Sequence, residues 1–142
     1  MRVLIDTNLL LRLVEPSAPR QGVANQAILR QESVGNEIVL VPQCLFEFWA
    51  VATRTRTANG LGYTVDSAKL LVEKFGREIR LLPDTPDLAD RWFDLVTQHN
   101  VTGVNSHDAR LAAAMLTHGV THLLTFNARD FRRYGHISLI DP

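Results

Sequence analysis

The chain has 142 residues, 46 % apolar and 21 % charged, a mixture that excludes a disordered segment and predicts one soluble globular domain. Its 15 Lys plus Arg balance 15 Asp plus Glu, so it does not hold nucleic acid through a global positive field. The single cysteine, Cys44, excludes an internal disulfide and fits a reducing, cytoplasmic setting.

The first element is short. Val3 to Ile5 reads as a buried strand, and Leu9 to Val14 as a helix capped by Thr7 or Asn8. Asp6 and Arg12 break the early apolar run, and no small-residue cleavage site follows, so no secretory signal is expected. Pro16 and Pro19 mark a break. Gly22 to Glu32 then carries Val23, Ala27 and Ile28 at helical spacing, closed by Gly35 and Asn36. Ile38 to Val41 is the second strand signal, bounded by Asn36 and Pro42. The uncharged apolar-rich stretch from Ile38 to Phe46 is far too short to span a bilayer.

Pro42 suits the first turn of a helix, and Cys44, Phe48, Val51 and Ala52 form one stripe of it. "TRTRTANGLGYT" reads as a polar, basic loop. Val65 to Phe75 repeats Ala68, Leu71, Val72 and Phe75 at three and four. Ile79 to Leu82 is a candidate short strand. Pro86 to His99 is helical, with Leu88, Trp92, Leu95 and Val96 inward. "VNSHDARLAAAMLTHG" has a capped start at Asn105 or Ser106 and a Gly after its last turn. "THLLTFN" and "HISLID" read as the last strands. Strands alternate with helices, so the fold class is α/β with a mostly parallel sheet.

Ligands gather at the carboxyl ends of parallel strands. Asp6 follows the first strand there, and Asn127 follows Leu123 to Phe126. Asp108, in the first turn of its helix, complements the helix dipole. It also lines up with Leu111, Ala112 and Met115, at offsets of three, four and seven, and so points inward. Glu47 lies about 60° around the helix from Cys44, with Leu45, Phe46, Phe48 and Trp49 as neighbours. A glutamate there needs a cation, either an arginine in a buried ion pair or a metal. Three inward carboxylates on three elements repel one another without a counter-charge. Oxygen donors without a Cys set or a His pair suit Mg²⁺ or Mn²⁺ better than Zn²⁺. His118 and His122 are separated by Gly119, and His107, beside Asp108, reads as a surface group or a support behind the ligands rather than a ligand itself. No G-x-S-x-G elbow or Gly-rich phosphate loop is present, and Cys44 reads as core.

These pieces resemble the PIN domain, specifically the small VapC-type toxins of bacterial and archaeal toxin–antitoxin pairs. The resemblance rests on "LIDTNLLL", "PQCLFEFWAVATR", "GVNSHDARLAAAM" and "HLLTFNARDF", in that order and at the family's spacing, and covers essentially the whole chain. It implies a single PIN-like nuclease domain over residues 1–142, a three-layer α/β/α sandwich around a mostly parallel sheet. By position Asp6, Glu47 and Asp108 match the family's three core acids and implied metal ligands. Asn127 stands where many members carry a fourth acid. Asn8 and Thr125 match small polar residues that orient the acids. Asp130 is close enough to assist through a water, but reads better as a helix-start residue. The activity implied is Mg²⁺- or Mn²⁺-dependent endoribonuclease, leaving a 5′-phosphate and a 3′-hydroxyl, in the toxin of a type II pair.

Arg54, Arg56 and Arg129, with Arg132 and Arg133, are the local basic groups available for an RNA backbone. The resemblance further implies an antitoxin lying over the acidic cleft and a homodimer. The rival function is a catalytically weakened PIN-like module that binds protein or RNA partners, with Asn127 as its support. An aspartyl-nucleophile phosphatase fits poorly, because Asp6-Thr7-Asn8 lacks a second carboxylate.

Overall fold

Leu4 is buried between parallel neighbours on both sides, and the sheet extends outward from its strand. The computed structural model describes residues 1–15 and 18–142. The strands are β1 (Arg2–Ile5), β2 (Glu37–Leu40), β3 (Arg80–Leu81), β4 (His122–Leu124) and β5 (Ser138–Ile140). The helices are α1 (Thr7–Val14), α2 (Ala18–Ser33), α3 (Pro42–Thr53), α4 (Val65–Glu78), α5 (Leu88–Gln98), α6 (Asn105–His118) and α7 (Ala128–Phe131). Strand order is β3-β2-β1-β4-β5, and every pairing is parallel, so the sheet is wholly rather than mostly parallel.

This order decides where a ligand can sit. The chain leaves β1 toward β2 and β3, then returns past β1 to β4 and β5. The crossover direction reverses between β1 and β4, and a crevice opens at the carboxyl end of that pair. Right-handed crossovers send α1 to α4 to one face and α5 to α7 to the other. The helix contacts agree: α1 meets α2 and α3, α3 meets α4, α5 meets α6, and α6 meets α7. The arrangement is the three-layer sandwich that the family resemblance implied.

The inner strands read as continuous apolar runs because both faces are covered. Val3, Leu4, Ile5, Val39, Leu40, Leu123 and Leu124 are all buried. On α3, Cys44, Phe48 and Ala52 are buried, and Phe48 meets Phe75 of α4 edge to face at 5.1 Å. Edge strand β3 pairs only with β2, and its Leu81 is exposed, which is why the sequence signal there is weak.

Several local expectations change. The cap of α1 is Asp6, not Thr7 or Asn8: its Oδ1 accepts the Thr7 N–H at 2.7 Å, and both later residues are already helical. Pro19 does not break the chain but sits in the first turn of α2, where a missing N–H is harmless; Pro16 lies outside the described residues. On α2 the buried residues are Ala24 and Ala27, while Val23 is exposed. Helix α5 starts at Leu88, two residues after Pro86. Neither Asn105 nor Ser106 caps α6; Val104 holds that position without a side-chain bond. Gly119 ends α6 as expected, in the left-handed conformation at φ 62°.

The basic loop after α3 is ordered by close backbone approach. It folds back on α3 through Leu61 N–H to Val51 C=O and Tyr63 N–H to Ala52 C=O, with one 3₁₀ turn at Arg56–Ala58. A Cβ on Gly60 would lie 2.0 Å from the Arg54 carbonyl oxygen, so only glycine fits there. Tyr63 Oη donates to the Val14 carbonyl at 2.6 Å and ties the loop to the end of α1.

Candidate active site at the β1–β4 crevice

Asp6 is placed by the sheet itself. Ile5 pairs with Leu124, and the next residue on each strand is Asp6 and Thr125. Thr125 Oγ1 donates to Asp6 Oδ2 at 2.7 Å, and Asn8 Nδ2 donates to the same oxygen at 2.8 Å. Asn8 Oδ1 accepts the Phe126 N–H at 3.3 Å, and Thr125 Oγ1 accepts the Asn127 N–H at 2.9 Å. Asn8 and Thr125 therefore hold the Asp6 carboxylate in place.

Glu47 enters from α3. Its Oε2 accepts the Thr7 hydroxyl and its Oε1 the Gln43 amide, each at 2.7 Å. Asp108 enters from the first turn of α6. Asp6, Glu47, Asp108 and Asn127 together line one cavity of about 350 Å³, with Thr7, Asn8, Leu11, Ala50 and Val51. Glu47 is not salted to an arginine: among the described residues no Lys, Arg or His forms an ion pair with Asp6, Glu47 or Asp108.

Burial drives the electrostatics. Asp6 is only 8 % exposed, and its carboxyl is pushed above the usual range by burial and by the charge of Glu47, against its hydrogen bonds from Thr125, Thr7 and Asn8. Asp108 is pushed up to about 6 by burial first, then by the charges of Asp130, Asp6 and Glu47. Negative charge is concentrated here without compensation, which is the environment that invites a cation.

The donor set fits a hard divalent ion. It consists of carboxylate and amide oxygens, with no thiolate or imidazole facing the cavity. Among the described residues no three His, Cys, Asp or Glu side chains close into a ready-made cage. An open arrangement suits Mg²⁺, which keeps several of its waters and completes its shell with substrate oxygens.

A groove of about 840 Å³ continues from this cavity through Asn8, Leu11 and Val51, which line both. Arg56, Asn59, Gly60 and Tyr63 form its far wall. Of the arginines singled out from the sequence, Arg56 alone lines this groove. Arg54 is exposed and donates to the Asn59 carbonyl at 3.1 Å, and Arg129 is exposed on α7.

A model of the PIN domain matches residues 3–137. The chain belongs to the PIN domain family. Comparison with curated proteins gives no match. Among solved structures, the chain is similar to VapBC2 from Rickettsia felis bound to a promoter DNA fragment, with TM-score 0.76 and 14 % identity over 100 % of this chain and 99 % of that one. It is similar to VapBC-1 from nontypeable Haemophilus influenzae, with TM-score 0.72 and 15 % identity over 99 % and 98 %. It is also similar to Mycobacterium tuberculosis VapC20, a toxin that cleaves the sarcin–ricin loop, with TM-score 0.65 and 17 % identity over 90 % and 92 %. At such identities the likeness is one of fold.

Within this PIN fold, sequence reading missed three participants. Thr7 appeared only as a possible cap, yet its hydroxyl holds Glu47. Gln43 lies four residues before Glu47, a same-face spacing that signals contact on a helix. Arg110 has no local signal, because its partners Gln43 and Asp84 are distant in sequence. Asp130 does sit in the first turn of α7 as expected, but its charge also reaches Asp108.

Cys44 lies directly under the site and is no nucleophile. It is fully buried, its Sγ donates to the Ile5 carbonyl at 3.5 Å, and burial pushes its thiol up to about 12. A thiol reagent at neutral pH is expected to leave the folded protein unlabelled and to label it fully in denaturant, as read by mass spectrometry.

Proposed function

We propose that this PIN domain protein is a divalent-metal-dependent endoribonuclease and the toxin of a toxin–antitoxin pair. The observation that carries the reading is the cavity into which Asp6, Glu47, Asp108 and Asn127 converge without a compensating cation among the described residues. Mg²⁺ or Mn²⁺, when bound there, supplies an activated water and stabilises charge on phosphoryl and leaving oxygens. Asp6, Glu47 and Asp108 are the residues that would hold the ion, with the Asn127 amide oxygen beside them.

The chain's own groups do the rest. Asn8 and Thr125 both hold Oδ2 of Asp6, and the Thr7 N–H holds Oδ1, so the carboxylate is fixed at the crevice. Thr7 and Gln43 occupy one lone pair on each Glu47 oxygen and lock its direction. Glu47, which lines the cavity, is the candidate to take the proton from the attacking water. Arg56, on the adjoining groove, is placed to meet a phosphate of the RNA strand, with Arg54 and Arg129 at the margins.

The similar solved structures support the toxin reading, since they include a toxin–antitoxin complex and a toxin that cleaves the sarcin–ricin loop. An antitoxin segment covering the acidic crevice, a homodimer and a cytoplasmic location belong to the same reading. No helix among the described residues is long and apolar enough to cross a membrane.

The test is cleavage of total RNA by purified protein, with new 5′ ends mapped. Discrete sites with Mn²⁺ that vanish with EDTA are expected. A folded protein that binds no Mn²⁺ at millimolar concentration and cuts nothing is instead the binding module to which Asn127 points.

A further inference from the structure

Glu47 and Asp108 arrive from different helices on opposite sides of the sheet. Neither β1 nor β4 sets the gap between them. We propose that Gln43, held by Arg110, is the positioning residue that sets this gap and so prepares the pocket for a divalent cation. The proposal rests on reading that pocket as a cation site.

One amide touches both walls. Gln43 Nε2 donates to Glu47 Oε1 at 2.7 Å and to the His107 carbonyl, the residue before Asp108, at 2.8 Å. Its Oε1 accepts from Arg110 Nη1 at 3.0 Å. The amide orientation follows from chemistry alone. A carboxylate and a carbonyl can only accept, and a guanidinium can only donate, so the flipped amide would oppose all three partners. Gln43 is 6 % exposed, and each of its polar atoms has a partner.

Arg110 is itself anchored, with Nη2 on Asp84 Oδ2 at 2.7 Å. Its cation therefore reaches Glu47 only through the amide. This distinction carries the inference. An arginine bonded directly to Glu47 would neutralise the carboxylate and compete with any cation. An amide interposed between them holds the same geometry and leaves Glu47 its charge. Groups one shell out from a metal ligand fix its direction in this way, and their loss typically weakens metal binding roughly 10–100-fold.

The test is calorimetric titration of Mn²⁺ into wild type, Gln43→Met, Glu47→Gln and the double variant, with melting in metal-free buffer as the check on folding. Gln43→Met is expected to weaken Mn²⁺ binding about 10-fold or more. In the Glu47→Gln background the same change is expected to add a much smaller loss, because the residue acts through Glu47. Arg110→Met should weaken binding in the same direction, and Arg110→Lys should recover part of it. Should Gln43→Met fail to fold, this Arg110 pair carries the test. Unchanged Mn²⁺ affinity in Gln43→Met or in Arg110→Met, or an equal loss with and without Glu47, overturns the proposal. Wild type that binds no Mn²⁺ overturns the cation site and this proposal with it, and is seen without any variant.

Discussion

Asp6→Asn is expected to lower RNA cleavage by at least about 10²–10³-fold while the protein stays folded. Asp6 is the most buried of the acids and the one on which strand geometry converges: β1 delivers it, β4 supplies Thr125, and α1 supplies Asn8. On the proposed reading, removing its charge would remove a metal ligand that no neighbour can replace, since Thr125 and Asn8 are uncharged. The effect on stability is small by comparison because opposing terms offset. The Asn oxygen still accepts the Thr7 N–H and caps α1, and a desolvated charge disappears. Against this, the new NH₂ faces the Asn8 and Thr125 donors, and lost bonds to a charged group count for about 1.5–3 kcal/mol. Melting should therefore shift by no more than roughly 10 °C. Cleavage at the wild-type rate in Asp6→Asn would end the nuclease assignment. Loss of activity with a collapsed melting curve would assign the residue to the fold instead.

The second large effect couples stability, pH and metal. Asp6 and Asp108 are both shifted upward, so the folded state favours their protonated forms more than the unfolded chain does. That stabilisation is complete below the ordinary carboxylate value of 3.8 and is lost as pH rises through the folded value, about 6 for Asp108. In EDTA, the metal-free protein should lose roughly 1–2 kcal/mol from Asp108 across this window, after allowance for solvent screening. Glu37 and Asp87, whose carboxyls are held low by Arg80 and Thr85 respectively, act below the window. His136, held low by burial, acts in the opposite direction within it, so the difference between wild type and Asp108→Asn isolates the carboxyl.

Bound Mn²⁺ reverses the trend. At 100 times its Kd it adds about 2.7 kcal/mol, or roughly 5–10 °C in melting temperature. Protons compete for the same oxygens, so the Mn²⁺ shift should be large near pH 7.5 and small near about pH 5. Melting curves with EDTA or Mn²⁺ at the two pH values measure it directly. A Mn²⁺ shift of equal size at both would show that the ion binds elsewhere.

Much of this was legible in one dimension. The alternation of strands and helices, the carboxyl-end positions of Asp6 and Asn127, and the inward turn of Asp108 follow from period and punctuation, which are local. Glu47 was conspicuous because a carboxylate between Phe46 and Phe48 conflicts with its surroundings. The faults were also local. The cap of α1 was assigned one or two residues too late, because Thr7 and Asn8 are equally good caps by residue type. Val23 was taken as buried because spacing on a mostly polar helix does not distinguish two adjacent faces.

The chain order of residues determined the fold class, the family's motifs and the identity of the acids, because backbone periodicity and residue chemistry are written one position at a time. Only the tertiary structure decided that β1 and β4 are neighbours, that the Thr7 hydroxyl reaches Glu47, and that Arg110 stands one amide away from it. Those contacts join residues 40, 67 and 119 positions apart. A bond across such separations depends on which strands pair and where crossovers reverse, and no local pattern encodes that.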